Sequence, residues 1–148
     1  MTKRKVYGCV FVLTLCFIFG NSVLTKEASR AISQFVAGLL GAGPGEPGGE
    51  EGHFMIRKLA HFIEYAALGA ISHLFFDSFM RDKYKKYVTL SLVGVAVPLV
   101  DETIQIFSGR GPALSDVWID VGGYLVGVLC VFCGNLLVRR AFEKKDEA

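Results

Sequence analysis

Four blocks of apolar residues are set apart along the chain by short polar stretches. Val6–Gly20 carries no charge. Leu59–Met80 is apolar apart from His61, Glu64, His73 and Asp77. Tyr87–Val100 is uncharged and continues through Ile104, Ile106 and Phe107, and Val117–Val138 contains one carboxylate, Asp120. A helix rising 1.5 Å per residue needs about 20 residues to cross the hydrocarbon of a bilayer, and each block reaches or approaches that length. The pattern predicts an all-α, polytopic membrane protein with four transmembrane helices, at about residues 6–24, 59–80, 87–107 and 117–138.

The first loop has a different pattern. In TKEASRAISQFVAGLL, residues 25–40, the apolar positions Ala28, Ile32, Phe35, Val36, Leu39 and Leu40 recur at i, i+4, i+7, i+8, i+11 and i+12. That spacing makes one apolar stripe, so an amphipathic helix on the outer leaflet is expected. GAGPGEPGGEEG, residues 41–52, follows and reads as a flexible linker because Gly and Pro break regular structure. There is no internal repeat, and residues 1–148 read as one membrane domain.

Charge placement sets an orientation. Lys3, Arg4 and Lys5 precede the first span, Arg81, Lys83, Lys85 and Lys86 fill the RDKYKK loop, and Arg139, Arg140, Lys144 and Lys145 follow the last span. Placing all three clusters in the cytoplasm satisfies the positive-inside rule and puts both termini there, in a multi-pass protein of the cell membrane. A basic start followed by an apolar block also fits a signal peptide. NSVLTKEAS, however, offers no small-x-small cleavage site, which favours a retained anchor.

Composition adds little to this picture. The hydrophobic fraction of 52% and mean hydropathy of +0.44 suit a membrane protein, and a net charge of +2 gives no reason to expect nucleic acid as a partner. All four cysteines, Cys9, Cys16, Cys130 and Cys133, fall inside spans and read as small hydrophobic residues. Cys130-x-x-Cys133 lacks the exposed helix N-terminus that a redox motif needs.

The candidate chemistry lies in polar residues that interrupt the spans at one depth. Arg57, His61, Glu64 and Leu68 share a helix face, with His61 and Glu64 roughly 3–8 Å inside the outer boundary at 1.5 Å per residue. The third span ends in DETIQIF, residues 101–107. Asp101 and Gln105 share a face there, and Glu102 precedes Gln105 by three residues. On the fourth span Asp116, Asp120, Gly123 and Gly127 align at i, i+4, i+7 and i+11, the two glycines forming a small-xxx-small pattern that admits a close neighbour helix. Inserting one ionisable group costs about 2.5–3.5 kcal/mol at mid-bilayer, so several at matched depth are expected to face one another in an outward polar pocket.

Two chemistries fit these residues. His61-x-x-Glu64 with Asp101, Glu102, Asp116 and Asp120 supplies donors that a divalent cation accepts. His61 beside a carboxylate also suits acid–base work. The catalytic candidates are therefore His61, Glu64, Asp101 and Glu102. Arg57, Lys58, Gln105, Arg110, Asp116 and Asp120 are candidate binding residues, and the two arginines equally suit anchoring at the membrane interface. A bundle held only by interhelical polar contacts is the structural alternative. His53 lies in the linker, His73 points about 120° away from His61, Asp77 is expected to pair with Arg81 at i+4, and Trp118 reads as an interfacial anchor.

RKLAHFIEY (57–65), DETIQIFSGRGPALSD (101–116) and DVGGYLVG (120–127) together resemble the VanZ-like family of bacterial integral membrane proteins. The matching positions are Lys58, His61, Glu64, Asp101, Glu102, Gln105, Arg110, Asp116, Gly123 and Gly127, and Asp120 stands where that family usually has Asn. The resemblance implies a membrane protein and reduced susceptibility to teicoplanin-type glycopeptide antibiotics. Three roles follow as expectations: a pocket engaging an envelope lipid or lipid-linked precursor, an enzyme acting on an envelope-lipid head group, or a non-catalytic membrane partner. An oligomer built through the Gly123/Gly127 face is compatible with each.

Overall fold

The computed structural model describes residues 2–39, 49–108 and 114–146, all in helices or the short turns between them. Five helices follow in order: α1 (Lys3–Val23), α2 (Lys26–Leu39), α3 (Gly49–Asp77), α4 (Lys83–Phe107) and α5 (Leu114–Asp146). Four of these, α1, α3, α4 and α5, contain stretches long and apolar enough to cross a membrane: Lys3–Val23, Met55–Asp77, Lys83–Phe107 and Ser115–Glu143. Their lipid-facing surface is apolar, with Leu13, Phe17, Leu92, Val95, Leu129 and Leu137 exposed on the bundle exterior. That is the arrangement expected when the solvent around the helices is hydrocarbon.

The helix ends differ from the sequence expectation where local capping intervenes. Asp82 caps α4 by accepting a hydrogen bond from the Lys85 backbone N–H at 3.2 Å, so Lys83–Lys86 of the expected RDKYKK loop form the first turn of α4. Of the expected linker, residues 41–48 lie outside the described residues, as does Leu40 of the amphipathic stretch, while Gly49–Gly52 already belong to α3. The i→i−4 hydrogen bonds of the apolar segment propagate outward into that stretch, since adding a residue to an existing helix is far easier than starting one. The helix α2 is the amphipathic element expected in the first loop; Ile32 and Phe35 on its apolar stripe stay exposed.

The close centre of the bundle is the α3–α5 contact. A Cβ on Gly123 would strike the Phe62 carbonyl, one on Gly127 the Ala66 carbonyl, and one on Gly69 the Tyr124 carbonyl. The two helices run in the same direction with their backbones touching, which only small residues allow. The Gly123/Gly127 face expected to be available for oligomerisation is therefore filled by the chain's own α3. The fourth helix joins through Gly94, where an added Cβ would lie 2.6 Å from the Tyr124 ring. Ile18, Tyr65, Leu68, Phe76, Leu90 and Tyr124 form the shared apolar core.

Along α4 one buried stripe runs the length of the helix through Lys86, Leu90, Gly94, Pro98, Asp101 and Gln105. It is apolar in the middle and ionisable at both ends, so it links a basic-end cluster to the cluster at the opposite end. At the basic end, Phe11 stacks on Phe75 with centroids 5.4 Å apart, and Arg4 lies 4.9 Å from the centroid of Phe79. These contacts fix α1 antiparallel to α3.

Candidate functional site

At the end opposite the basic clusters, the polar residues of four helices meet. Position 61 on α3, position 101 on α4 and position 120 on α5 reach the same level because α3 and α5 run parallel while α4 returns alongside the pair in the opposite direction. His61 Nδ1 lies 3.7 Å from Asp120 Oδ1 and 4.0 Å from Asp101 Oδ2. Asp101 and Asp120 are sealed inside the bundle. Two carboxyl groups and one imidazole thus face one another inside the bundle. Separations of this size leave room for a bridging water or ion.

Asp101 is held by two further groups. The Ser22 hydroxyl on α1 donates to Asp101 Oδ1, and Gln105 Nε2 donates to Asp101 Oδ2 at 3.1 Å. Ser108 Oγ donates to the Ser22 carbonyl at 3.0 Å, closing the end of α4 against α1. Glu64 turns toward α1, its Oε1 accepting from Asn21 Nδ2 at 3.1 Å. Tyr65, one turn from His61 on α3, is fully buried.

Nearer the end of the bundle is a second layer. Lys58 Nζ is 3.5 Å and Arg57 Nη2 3.7 Å from the Asp116 carboxylate, and Ser115 Oγ donates to Asp116 Oδ1 at 3.2 Å. Side-chain exposure rises along the set, from 0% at Asp101 and 2% at Asp120 to 12% at His61, 22% at Lys58 and 31% at Arg57. The buried cluster is thus approached past two cations that share one carboxylate.

Of the residues singled out in the sequence, His61, Asp101 and Asp120 converge most closely. Gln105 supports Asp101, Arg57 and Lys58 gather on Asp116, Glu64 faces α1, and Glu102 is buried on the same turn as Asp101. Arg110 lies outside the described residues. Sequence reasoning passed over Asn21, Ser22 and Tyr65. The adjacent Asn21–Ser22 pair at the end of an otherwise apolar block was the available signal for the first two, and Tyr65 stands at i+4 from His61.

One oxygen each from Asp101 and Asp120 and one ring nitrogen of His61 lie within 4.8 Å of one another. A divalent cation coordinated at about 2.0–2.5 Å by oxygen and imidazole nitrogen spans that spacing. His61, Asp101 and Asp120 are the residues that would hold it. Among the described residues this set takes His61 from the expected His61-x-x-Glu64 pair but not Glu64, whose Oε1 accepts from Asn21.

The fold and this cluster define a class: a polytopic α-helical membrane protein with ionisable residues gathered inside one end of its bundle. A profile of the VanZ/LLP1 family matches residues 6–138, nearly the whole chain, and the chain belongs to that family. Neither the curated proteins nor the solved structures include a match.

Proposed function

We propose that this VanZ-like protein sits in the cell membrane with both termini in the cytoplasm, and that its buried polar cluster works at the outer face. The charge pattern supports that orientation, since all three basic clusters fall at the end opposite the cluster. There it engages the head group of an envelope lipid or lipid-linked precursor and lowers susceptibility to teicoplanin-type glycopeptides. The observation carrying this reading is the approach of Asp101 and Asp120 to within 4.0 Å of His61 Nδ1, behind Arg57 and Lys58. Three helices converging ionisable groups inside a membrane bundle are a costly arrangement, and such groups ordinarily mark a site of action.

In this reading Arg57 and Lys58 receive an anionic head group, exchanging part of their attraction to Asp116 for the ligand. His61 lies one turn further in, where it gives or takes a proton, or with the two aspartates holds a divalent cation. Asp101 is kept in place by Ser22 and Gln105, so it orients the imidazole without needing to move.

The test is teicoplanin susceptibility of a Gram-positive host producing wild-type protein or His61→Ala, with membrane levels matched. Protection by the wild type and its loss in the variant support the reading. Equal protection by both would remove His61 from the function.

One observation favours a second reading, in which the cluster only joins helices. Asp101 bonds to α1 through Ser22 as well as facing α3 and α5, as a packing residue would. Under that reading Glu102→Gln and His61→Gln keep full protection, because hydrogen-bonding amides replace the titrating groups.

A further inference from the structure

A second ionisable cluster occupies the other end of the bundle, and the proposed function makes no use of it. Asp77 at the end of α3 pairs with Lys86 on α4, Nζ to Oδ1 at 2.6 Å, rather than with the expected Arg81. The lysine has turned inward from the α4 first turn and is almost fully buried, its ammonium 5.0 Å from the centroid of the Tyr87 ring. Beside this pair is a cavity of about 210 Å³ between α3, α4 and α5. A water molecule takes up about 30 Å³ in the liquid, so the space admits a small polyatomic ion with part of its hydration.

The cavity is lined by four cations, Arg81, Lys83, Lys86 and Arg139, and by one carboxylate, Asp77. Four positive charges against one negative leave a surplus of three. Arg81, Lys83 and Arg139 make no ion pair with any described residue. His73 also lines the cavity and is 2% exposed, and neither of its ring nitrogens has a hydrogen-bond partner among the described residues. A buried imidazole is ordinarily partnered. Simple interfacial anchoring of helix ends explains exposed cations, but not a cavity with an unpartnered histidine inside it.

We propose that this basic-end cavity is a phosphate-binding site. Arg81 and Arg139 at its rim hold the anion, and His73 supplies a hydrogen bond from inside. The phosphate belongs either to an anionic membrane phospholipid or to a soluble ion. Basic pockets between transmembrane helices are suited to lipid head groups, and guanidinium groups match phosphate oxygens in geometry. The Lys86–Asp77 pair keeps the α3 and α4 walls together and leaves the other cations for the ligand.

The experiment uses the full chain purified in a neutral detergent. One arm adds phosphatidylglycerol, another phosphatidylcholine and a third inorganic phosphate, with lipid retention read by native mass spectrometry and phosphate binding by calorimetry. We expect about one phosphatidylglycerol per chain, retained in preference to phosphatidylcholine, with affinity reduced about tenfold or more in Arg81→Gln and Arg139→Gln. Each variant loses a charge-assisted hydrogen-bond donor at an exposed position, so the fold is retained. Arg140→Gln removes the same charge outside the cavity and should bind like wild type. His73→Leu should weaken binding while the ligand-free protein unfolds at the same or a higher temperature, since an unpartnered polar group is replaced by an apolar one. Saturable binding of inorganic phosphate that Arg139→Gln abolishes would assign the soluble ion. Retention of phosphatidylglycerol alone would assign the lipid. Absence of saturable binding in both arms, or equal losses in Arg139→Gln and Arg140→Gln, would overturn the proposal, as would unchanged binding by His73→Leu.

Discussion

Ser22 on α1 donates its hydroxyl to Asp101 on α4, and both residues are buried although 79 positions separate them in the chain. This bond ties the first membrane helix to the carboxylate that faces His61. It makes α1 part of the polar cluster's frame as well as an anchor.

Ser22→Ala should destabilise the protein by about 1–3 kcal/mol, because Asp101 loses a donor without access to water. Thermal unfolding in detergent would show this, and Thr14→Ala, whose hydroxyl bonds only to the Val10 carbonyl of its own helix, should change far less. Equal effects from the two substitutions would remove Ser22 from the frame.

The glycines separate by position. Gly127→Ala sets a methyl against the Ala66 carbonyl and Gly123→Ala one against the Phe62 carbonyl, so each should cost about 1–3 kcal/mol through forced separation of α3 and α5. Gly122→Ala and Gly134→Ala meet nothing within 4 Å and should be neutral or stabilise by about 0.5–1 kcal/mol. Unfolding midpoints of the four variants under one detergent condition test the ordering.

Asp120 Oδ1 lies 3.7 Å from His61 Nδ1, closer than Asp101 Oδ2 at 4.0 Å. If the cluster holds a divalent cation, Asp120→Asn should weaken its affinity at least about tenfold, the loss that even an outer-shell partner can produce. Calorimetric titration of the purified chain with Zn²⁺ or Mn²⁺ reads this directly. Equal affinity in wild type and variant would leave the acid–base reading of His61.

Lys86 and Asp77 form a pair in which the lysine side chain is 9% exposed and the aspartate 43%. Asp77→Asn should cost more than Lys86→Met, since the first leaves a nearly buried ammonium without its carboxylate while the second leaves an aspartate that water reaches. The double variant should fall short of the sum of the two losses. Strict additivity in the cycle would show that the pair contributes nothing to folding.

Orientation can be measured on the intact cell. In a cysteine-free background, Glu27→Cys should react with an impermeant maleimide added outside and Tyr84→Cys only after permeabilisation, as the basic clusters require. Both positions are exposed on the folded chain. The reverse pattern would place the His61 cluster at the cytoplasmic face.

Much of the fold was readable one residue at a time because membrane insertion is itself decided locally. An uninterrupted apolar block of about 20 residues has few alternatives to a spanning helix once its backbone must satisfy its own hydrogen bonds. The four spans, the amphipathic α2 and the matched depth of His61, Asp101 and Asp120 follow from that constraint and from helical period. The glycine pattern on α5 likewise announced a close neighbour.

Tertiary structure decided which neighbour, and with it the partners of every polar side chain. Gly123 and Gly127 receive α3 rather than a second copy, because only in the folded bundle does the carbonyl row of Phe62 and Ala66 lie opposite them. Asp77 chose Lys86 over Arg81, Glu64 accepts a hydrogen bond from Asn21, and Asp101 gained Ser22. Spacing along one helix specifies a direction around its axis. Which group waits in that direction depends on the rotation and approach of another helix, and those are set by the sum of many small packing contacts spread across the chain.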